Sequence, residues 1–126
     1  MKSLLREPAL AAGLIVTDEF NLGEGEHDFR VPDGGLHRPD AAGTWLATAA
    51  LVVEIVSPGD ESWEKLPFYA AHCVDEALIV DPQKRSVDWL GLDEHGGGYR
   101  PIEHSSLVDL GPHDLGESID WPASDG

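Results

Sequence analysis

The sequence contains little cysteine and no long apolar run. Cys73 is the only cysteine among 126 residues, so the chain has neither an internal disulfide nor a zinc site built on several cysteines. This usage favours a reducing, cytoplasmic setting. No apolar segment approaches the roughly 18 residues that a membrane-spanning helix needs, and residues 9–16 lead into Thr17 without the small-residue cleavage site of a signal peptide. We therefore expect a cytoplasmic protein with no membrane partner.

Basic residues are also scarce. Lys and Arg number 8 against 24 Asp and Glu, which gives a formal net charge of −16, divided as −7 over residues 1–63 and −9 over residues 64–126. Such a surface repels phosphate and offers no basic stripe, so nucleic-acid binding should be weak, salt-sensitive and metal-dependent. The apolar share of 41% is nevertheless that of a folded protein. At this length, residues 1–126 are expected to form one domain.

The apolar segments follow one another as strand, helix and strand. Residues 49–56 are almost continuously apolar and predict a central strand that is buried on both faces. Residues 61–73 predict a helix in which an internal proline delays or bends the first turn, and residues 77–80 predict a second buried strand. Residues 85–92 and the strand from Tyr99 then predict a C-terminal antiparallel hairpin. This succession is typical of an α/β fold with a mixed β-sheet and one main crossover helix.

Glu54 is the anomaly of the central strand. Alternation along a strand places it on the same face as Val52 and Val56. An ionised carboxylate among valines is costly unless it is paired, hydrogen-bonded or bound to a metal. Two interpretations stay open at this point, because Glu54 could form a structural salt bridge with Arg30 or Lys65, or it could be a metal ligand.

Two charged residues elsewhere favour a metal site at Glu54. Asp33 begins an extended segment that an alternating apolar pair precedes, and Lys65 lies one turn into the helix after the central strand. Two carboxylates and a lysine can hold Mg²⁺ and activate water against a phosphodiester, with the carboxylates on the ion and the ammonium near the nucleophile or the transition state. Asp40 competes with Asp33 because it too follows a proline, but it falls in residues 37–48, which predict a loop.

Four segments stand in one order along the chain: RVPD at 30–33, LVVEIVSPGD at 51–60, KLPFYA at 65–70 and IVDP at 79–82. Together they resemble the Uma-type restriction endonuclease family of the PD-(D/E)XK nuclease superfamily in both order and spacing. The resemblance covers residues 29–92, with a weaker trace at residues 119–122. It implies a restriction-endonuclease-like fold.

The resemblance also implies roles for single residues. Asp33 and Glu54 would be the metal ligands, with the backbone carbonyl of Ile55 as a third. The superfamily pattern has a lysine where this chain has Val56, so Lys65 would supply the positive charge from the helix. The implied cofactor is Mg²⁺, or Mn²⁺ in its place, and the implied partner is DNA.

The predicted function is therefore that of a Mg²⁺-dependent DNA endonuclease. The competing hypothesis is a catalytically inactive or weak relative that acts as a binding or assembly module, and we expect a homodimer in either case. The acidic surface and Val56 favour this second hypothesis. Members of the family also carry an N-terminal strand and a long helix. Residues 2–12 would be the end of that helix, so a shortened N-terminal region is expected.

Three further motifs are interpreted as structural. The HGGG sequence at 95–98 has no nucleophile elbow to accompany it and predicts a flexible hairpin tip. Cys73 has no flanking base and is expected to be a buried thiol at the end of an amphipathic helix. The four tryptophans are not interleaved with basic residues, which favours core edges or a dimer contact over base stacking.

Overall fold

The structure is a computed structural model that describes residues 2–40, 43, 45–59, 62–95 and 98–121. Three α-helices lie within these ranges: α1 (Lys2–Ala11), α2 (Leu66–Ala71) and α3 (Pro112–Ser118). The strands, in chain order, are β1 (Ile15–Thr17), β2 (Asn21–Gly25), β3 (Asp28–Arg30), β4 (Gly34–His37), β5 (Trp45–Leu46), β6 (Leu51–Ile55), β7 (Glu76–Asp81), β8 (Ser86–Leu92) and β9 (Tyr99–Pro101). None of the helices in the described ranges is both long enough and apolar enough to cross a membrane.

Six strands form the main sheet in the order β1-β4-β6-β7-β8-β9. β6 and β7 are parallel, and every other neighbouring pair in this sheet is antiparallel. A parallel pair needs a crossover connection, and α2 provides it here. The predicted mixed α/β sheet, its crossover helix and the β8–β9 hairpin are thus confirmed, although the hairpin tip at residues 96–97 lies outside the described residues.

The central strand β6 has two buried faces, as its composition predicts. Leu51 and Val53 belong to one apolar cluster, which α1 and α3 cover through Leu5 and Leu115. Val52 belongs to the second cluster, on the side of α2. Because side chains alternate along a strand, Glu54 faces the same side as Val52, and the charge points toward α2.

A single 3₁₀ turn precedes the crossover helix. It spans Trp63–Lys65, and the regular helix begins at Leu66 with Pro67 in its first turn. Proline is tolerated there because the first amides of a helix have no intrahelical acceptor. The delayed start that the sequence predicted is therefore present.

The end of α2 corrects the prediction for Cys73. The amide of Cys73 donates to the carbonyl of Ala70, and that of Val74 donates to Tyr69, which is the Schellman arrangement of a helix C-terminus. Cys73 occupies its left-handed position with φ of 58°. The helical period therefore stops before Cys73, and the thiol is exposed instead of buried.

A second buried carboxylate, Glu76, ties the C-terminal part of the chain to β7. Its Oε1 accepts hydrogen bonds from Trp89 Nε1 at 2.8 Å and from Ser105 Oγ at 2.6 Å, and its Oε2 accepts one from the amide of Ser106 at 2.9 Å. The hydroxyl of Ser105 in turn accepts the amides of Leu107 and Val108. These bonds satisfy a charge that would otherwise be costly inside the protein.

The sequence did not predict two parts of the structure. One is α3, and the other is a second sheet of three short strands in the order β3-β2-β5. β5 lies within residues 37–48, for which the sequence predicts a loop. The second sheet contributes Leu22 to the cluster on the α2 side of the main sheet.

Candidate active site

Glu54 lies almost at the end of β6 and is 1% exposed. Its two carboxylate oxygens are each 3.4 Å from Lys65 Nζ, and Oε1 also accepts a short hydrogen bond from the hydroxyl of Tyr69. The salt bridge that the sequence offered as one interpretation is thus present, with Lys65 and not with Arg30. A buried ion pair needs additional hydrogen bonds to offset desolvation, and Tyr69 supplies one.

The helix after β6 explains how both donors reach Glu54. Lys65 ends the 3₁₀ turn and Tyr69 stands one turn further along, so that both side chains project from the same face of this helical segment. The crossover brings that face back over the sheet. Tyr69 is fully buried, whereas the Lys65 side chain keeps 24% of its surface exposed. The ammonium therefore lies between the buried carboxylate and solvent.

Asp33 is fixed against the same end of β6. Its amide donates to the carbonyl of Val53 at 2.9 Å, and its Oδ2 accepts the amide of Ile55 at 2.7 Å. Val53 and Ile55 flank Glu54, so the backbone and the side chain of Asp33 bracket that residue. Asp33 is itself exposed, and it therefore presents a carboxylate to solvent beside the buried one.

The environment raises the pKa of two of these groups, the Glu54 carboxyl and the Tyr69 hydroxyl. Burial raises the pKa of the Glu54 carboxyl above its usual value, and the nearby charge of Asp33 adds to the rise, whereas the Tyr69 hydrogen bond and the Lys65 charge oppose it. Burial and then Glu54 raise the pKa of the Tyr69 hydroxyl beyond the ordinary range. Tyr69 consequently remains protonated and acts as the donor in its bond to Glu54.

Asp40, the alternative to Asp33, stands at the opposite end of β4. β4 runs antiparallel to β6 with Gly34 opposite Val53 and Leu36 opposite Leu51. The residue before β4 therefore lies near Glu54, and a residue beyond its end does not. Asp40 instead lines a different cavity.

Comparisons with known proteins agree with this architecture. The model of the Uma2 family, described as a putative restriction endonuclease, matches residues 2–119. The chain belongs to this family. The resemblance noted from four sequence segments is thereby confirmed, while no curated protein matches the chain significantly.

Solved structures that are similar to this Uma2 protein include a crystal structure and a cryo-electron microscopy structure. A crystal structure of a putative nuclease belonging to DUF820, from Anabaena variabilis, is 14% identical with a TM-score of 0.66, and the match covers 92% of this chain and 75% of that one. At this identity the likeness establishes the fold. A cryo-electron microscopy structure of a DrdV–DNA complex is 16% identical with a TM-score of 0.47, over 80% of this chain and 9% of that one.

The candidate site of this Uma2 protein contains few acidic residues that could bind a metal ion. No group of three or more His, Cys, Asp or Glu side chains within the described ranges could hold a metal ion. The site offers two carboxylates, Asp33 and Glu54, and this donor set suits Mg²⁺, which keeps several of its waters and is commonly bound through one or two carboxylates. It would not suit a metal that requires a complete protein cage.

Sequence reasoning missed one residue of the site, the buried Tyr69. The helix predicted over residues 61–73 includes Tyr69, but no functional role was predicted for it. A tyrosine one turn after Lys65 on a face directed at a buried carboxylate is the signal that could have identified it, because a buried phenol usually finds a hydrogen-bond partner.

Proposed function

We propose that the protein is a Mg²⁺-dependent endonuclease that hydrolyses DNA phosphodiester bonds, with Asp33, Glu54 and Lys65 as its catalytic residues. The observation that supports this most is the buried carboxylate of Glu54 at the end of the central strand, with Lys65 on one side and Asp33 on the other. Membership of a restriction endonuclease family agrees with the proposal. A protein with no chemical role for Glu54 gains little from burying a charge there.

Asp33 and Glu54 would hold the ion, with the carbonyl of Ile55 as a further ligand. The amide of Ile55 points toward Asp33, and the amide and carbonyl of one strand residue point the same way. When bound, Mg²⁺ supplies a Lewis acid for the phosphoryl oxygens and lowers the pKa of a coordinated water. Mn²⁺ should replace it, because it accepts the same oxygen ligands.

Lys65 and Tyr69 would act on the charges of the site. Lys65 would turn its ammonium from Glu54 toward the phosphate, which its partial exposure permits, and would stabilise the negative charge that grows in the transition state. Tyr69 holds Oε1 of Glu54 and so fixes the plane of the carboxylate. The superfamily pattern has a lysine at the position of Val56. In this proposal Lys65 supplies that positive charge from the helix instead.

One observation favours the second candidate, a weak or inactive relative that binds without cleaving. The net charge of −16 opposes close approach of DNA. In that case Lys65 and Glu54 form a permanent ion pair whose role is structural, and the protein acts as a binding or assembly module, with a homodimer as its expected state.

Nicking of supercoiled plasmid tests the first proposal directly. We expect the wild-type protein to nick the plasmid with Mg²⁺ or Mn²⁺ and not with EDTA, and we expect Glu54→Gln, Asp33→Asn and Lys65→Ala each to lose at least about 100-fold in rate. Glu64→Gln is the matched control, since Glu64 is an exposed acid beside Lys65 and should retain the wild-type rate. Absence of nicking by the wild type, or equal nicking by Glu54→Gln, would support the second candidate.

Calorimetry with Mn²⁺ tests the ligands independently of cleavage. Wild-type protein should bind the ion weakly, and Asp33→Asn should lose this binding. Asparagine can still accept the amide of Ile55, so the loss would not come from a disordered strand end. Equal binding by both proteins would exclude Asp33 as a ligand.

A further inference from the structure

Arg30 lies over an aromatic ring beside the candidate active site. Its guanidinium carbon is 4.5 Å from the centroid of the Phe68 ring, and Phe68 stacks in turn on His72 with centroids 4.2 Å apart. Nη1 donates to the carbonyl of Phe29 at 2.8 Å. These contacts hold an exposed arginine in one place, since a cation over an aromatic ring is attracted by the electrons of its face.

Arg30 has no acidic partner within the part of the chain that the structure describes. This is unexpected in a protein with three acidic residues for every basic one. Arg38, by contrast, pairs with Asp75 at 3.0 Å, and Lys65 pairs with Glu54. A guanidinium has five N–H donors, and one of those on Arg30 is used by Phe29. The others have no hydrogen-bond acceptor within the described residues, and Arg30 is exposed.

The position of Arg30 relative to the site follows from the crossover helix. Lys65, Phe68 and His72 are spaced three and four residues apart, so their side chains follow one face of the helical segment. Tyr69, next to Phe68, is the residue that bonds Glu54. The charge of Arg30 also acts on Tyr69, where it lowers the pKa of the hydroxyl against the larger effect of burial. Arg30 and Lys65 thus both lie close to the Tyr69–Glu54 pair.

We propose that Arg30, held over Phe68, contacts a backbone phosphate of the bound DNA strand next to the phosphate at Glu54 and Lys65. This rests on the proposed function for the identity of the polymer. An exposed, preformed arginine without a carboxylate partner is suited to a phosphate, which accepts two of its N–H groups at once. The stack with Phe68 reduces the side-chain freedom that binding would otherwise remove. Arg30 and Lys65 together offset the repulsion of an acidic surface at this one place.

The test measures DNA binding separately from cleavage. A labelled duplex oligonucleotide is titrated with protein in Ca²⁺, at several NaCl concentrations, and its fluorescence anisotropy gives Kd and the slope of log Kd against log salt. Each phosphate contact to duplex DNA contributes about 0.9 to that slope. We expect Arg30→Ala to weaken binding about 5- to 10-fold and to reduce the slope by about 1. Arg30→Lys should keep the slope, because it keeps the charge.

Arg100→Ala is the matched control. Arg100 is also exposed, and it lies on the edge strand β9, three strands away from β6. Arg100→Ala removes the same charge as Arg30→Ala. It should change Kd less than about twofold and leave the slope of log Kd against log salt unaltered. An equal loss in both variants, an unchanged slope in Arg30→Ala, or the absence of salt-dependent binding by the wild type would overturn the inference.

Nicking in Mg²⁺ separates this outcome from that of the proposed function. If the wild type does not nick but its binding slope depends on Arg30, the phosphate contact stands and hydrolysis fails. If the wild type nicks and the slope does not depend on Arg30, hydrolysis stands and the phosphate contact is wrong.

Discussion

Glu54 receives hydrogen bonds from two donors that differ in charge, exposure and distance. The period of two along β6 was sufficient to predict that its carboxylate is buried, and a salt bridge with Lys65 was one of the interpretations that the sequence left open. Tyr69 was harder to assign, because a helix pattern shows that a residue faces inward but not which strand residue it meets. Which strand residue it meets depends on the angle at which α2 crosses the sheet, and no local pattern contains that angle.

The Tyr69 hydroxyl can be removed with little change in shape. In Tyr69→Phe, the pKa of Glu54 should rise further because a hydrogen bond that lowers it is lost. The acidic limb of the pH profile for nicking should therefore move to higher pH. The free energy of unfolding should fall by about 1–3 kcal/mol, the usual effect of leaving one buried group without its partner.

Tyr99→Phe controls for the loss of a buried phenol in general. The Tyr99 hydroxyl donates to the carbonyl of Val74 at 2.7 Å and does not contact Glu54. Tyr99→Phe should lose comparable stability and keep the pH profile of the wild type. A profile that moves equally in both variants would show that Tyr69 acts only through stability.

His37 gives the protein a pH-dependent stability at a second place. Its ring is buried, Nε2 is 2.7 Å from Thr17 Oγ1, and Nδ1 has no partner within the described residues. Burial lowers the pKa of His37 below 6.5. As the pH falls below 6.5, the unfolded chain takes up a proton that the folded protein resists, so the free energy of unfolding should decrease.

Chemical denaturation across this pH range measures the effect. The contribution of one proton is at most ~1.4 kcal/mol for each pH unit of the interval, and His37→Gln should show a shallower decline than the wild type. His27→Gln, which removes an exposed imidazole, is the matched control. An equal slope for the wild type and His37→Gln would contradict the assignment.

At the scale of single elements, predictability followed the amount of apolar surface that each segment buries. β6, β7 and the crossover helix bury continuous or periodic apolar runs, and the sequence located all three. α3 has one buried residue in the sequence PHDLGES, so it shows no periodic stripe. The strands of the second sheet have two to five residues each, so the alternation before Asp33 indicated an extended segment but not a separate sheet.

Two glycines in different elements should respond to alanine in opposite directions. A Cβ at Gly116, within α3, would lie 3.7 Å from Val87 Cγ2 in ordinary contact, and alanine in a helix is favoured over glycine by about 0.5–1 kcal/mol. A Cβ at Gly35, within β4, would lie 2.6 Å from the Phe20 ring and 3.0 Å from the carbonyl of Leu51. Urea denaturation should show that Gly116→Ala stabilises the protein and that Gly35→Ala destabilises it by about 1–3 kcal/mol. A stabilising Gly35→Ala would contradict the packing of β4 on β6.

At the scale of the whole molecule, negative charge is the dominant property. It is distributed over both halves of the chain, so it opposes the compact state through general self-repulsion. Because basic residues are so few, two basic side chains close to one site, Arg30 and Lys65, are unusual for this protein. Affinity for polyanions should therefore depend on a few residues and not on the surface as a whole.

Salt should consequently stabilise the protein. Screening by NaCl should raise Tm by about 4 °C if it contributes ~1 kcal/mol. MgCl₂ at equal ionic strength should raise Tm further in the wild type and not in Asp33→Asn, because only the wild type keeps both carboxylates of the proposed ion site. A thermal melt in the two salts measures both effects. A lower Tm in NaCl would show that attractive ion pairs outweigh the repulsion.

The bonds around Glu76 have a consequence for the timescale on which the C-terminal segment opens. Three consecutive amides form these bonds: Ser106 donates to Glu76, and Leu107 and Val108 donate to the hydroxyl of Ser105, which is itself bonded to Glu76. None of the three lies in a helix or a strand. They should exchange with deuterium as slowly as amides in the sheet, since they open only when the buried carboxylate loses its donors. In Glu76→Ala they should exchange quickly while β6 remains protected, so that a segment without regular secondary structure reports on the integrity of β7.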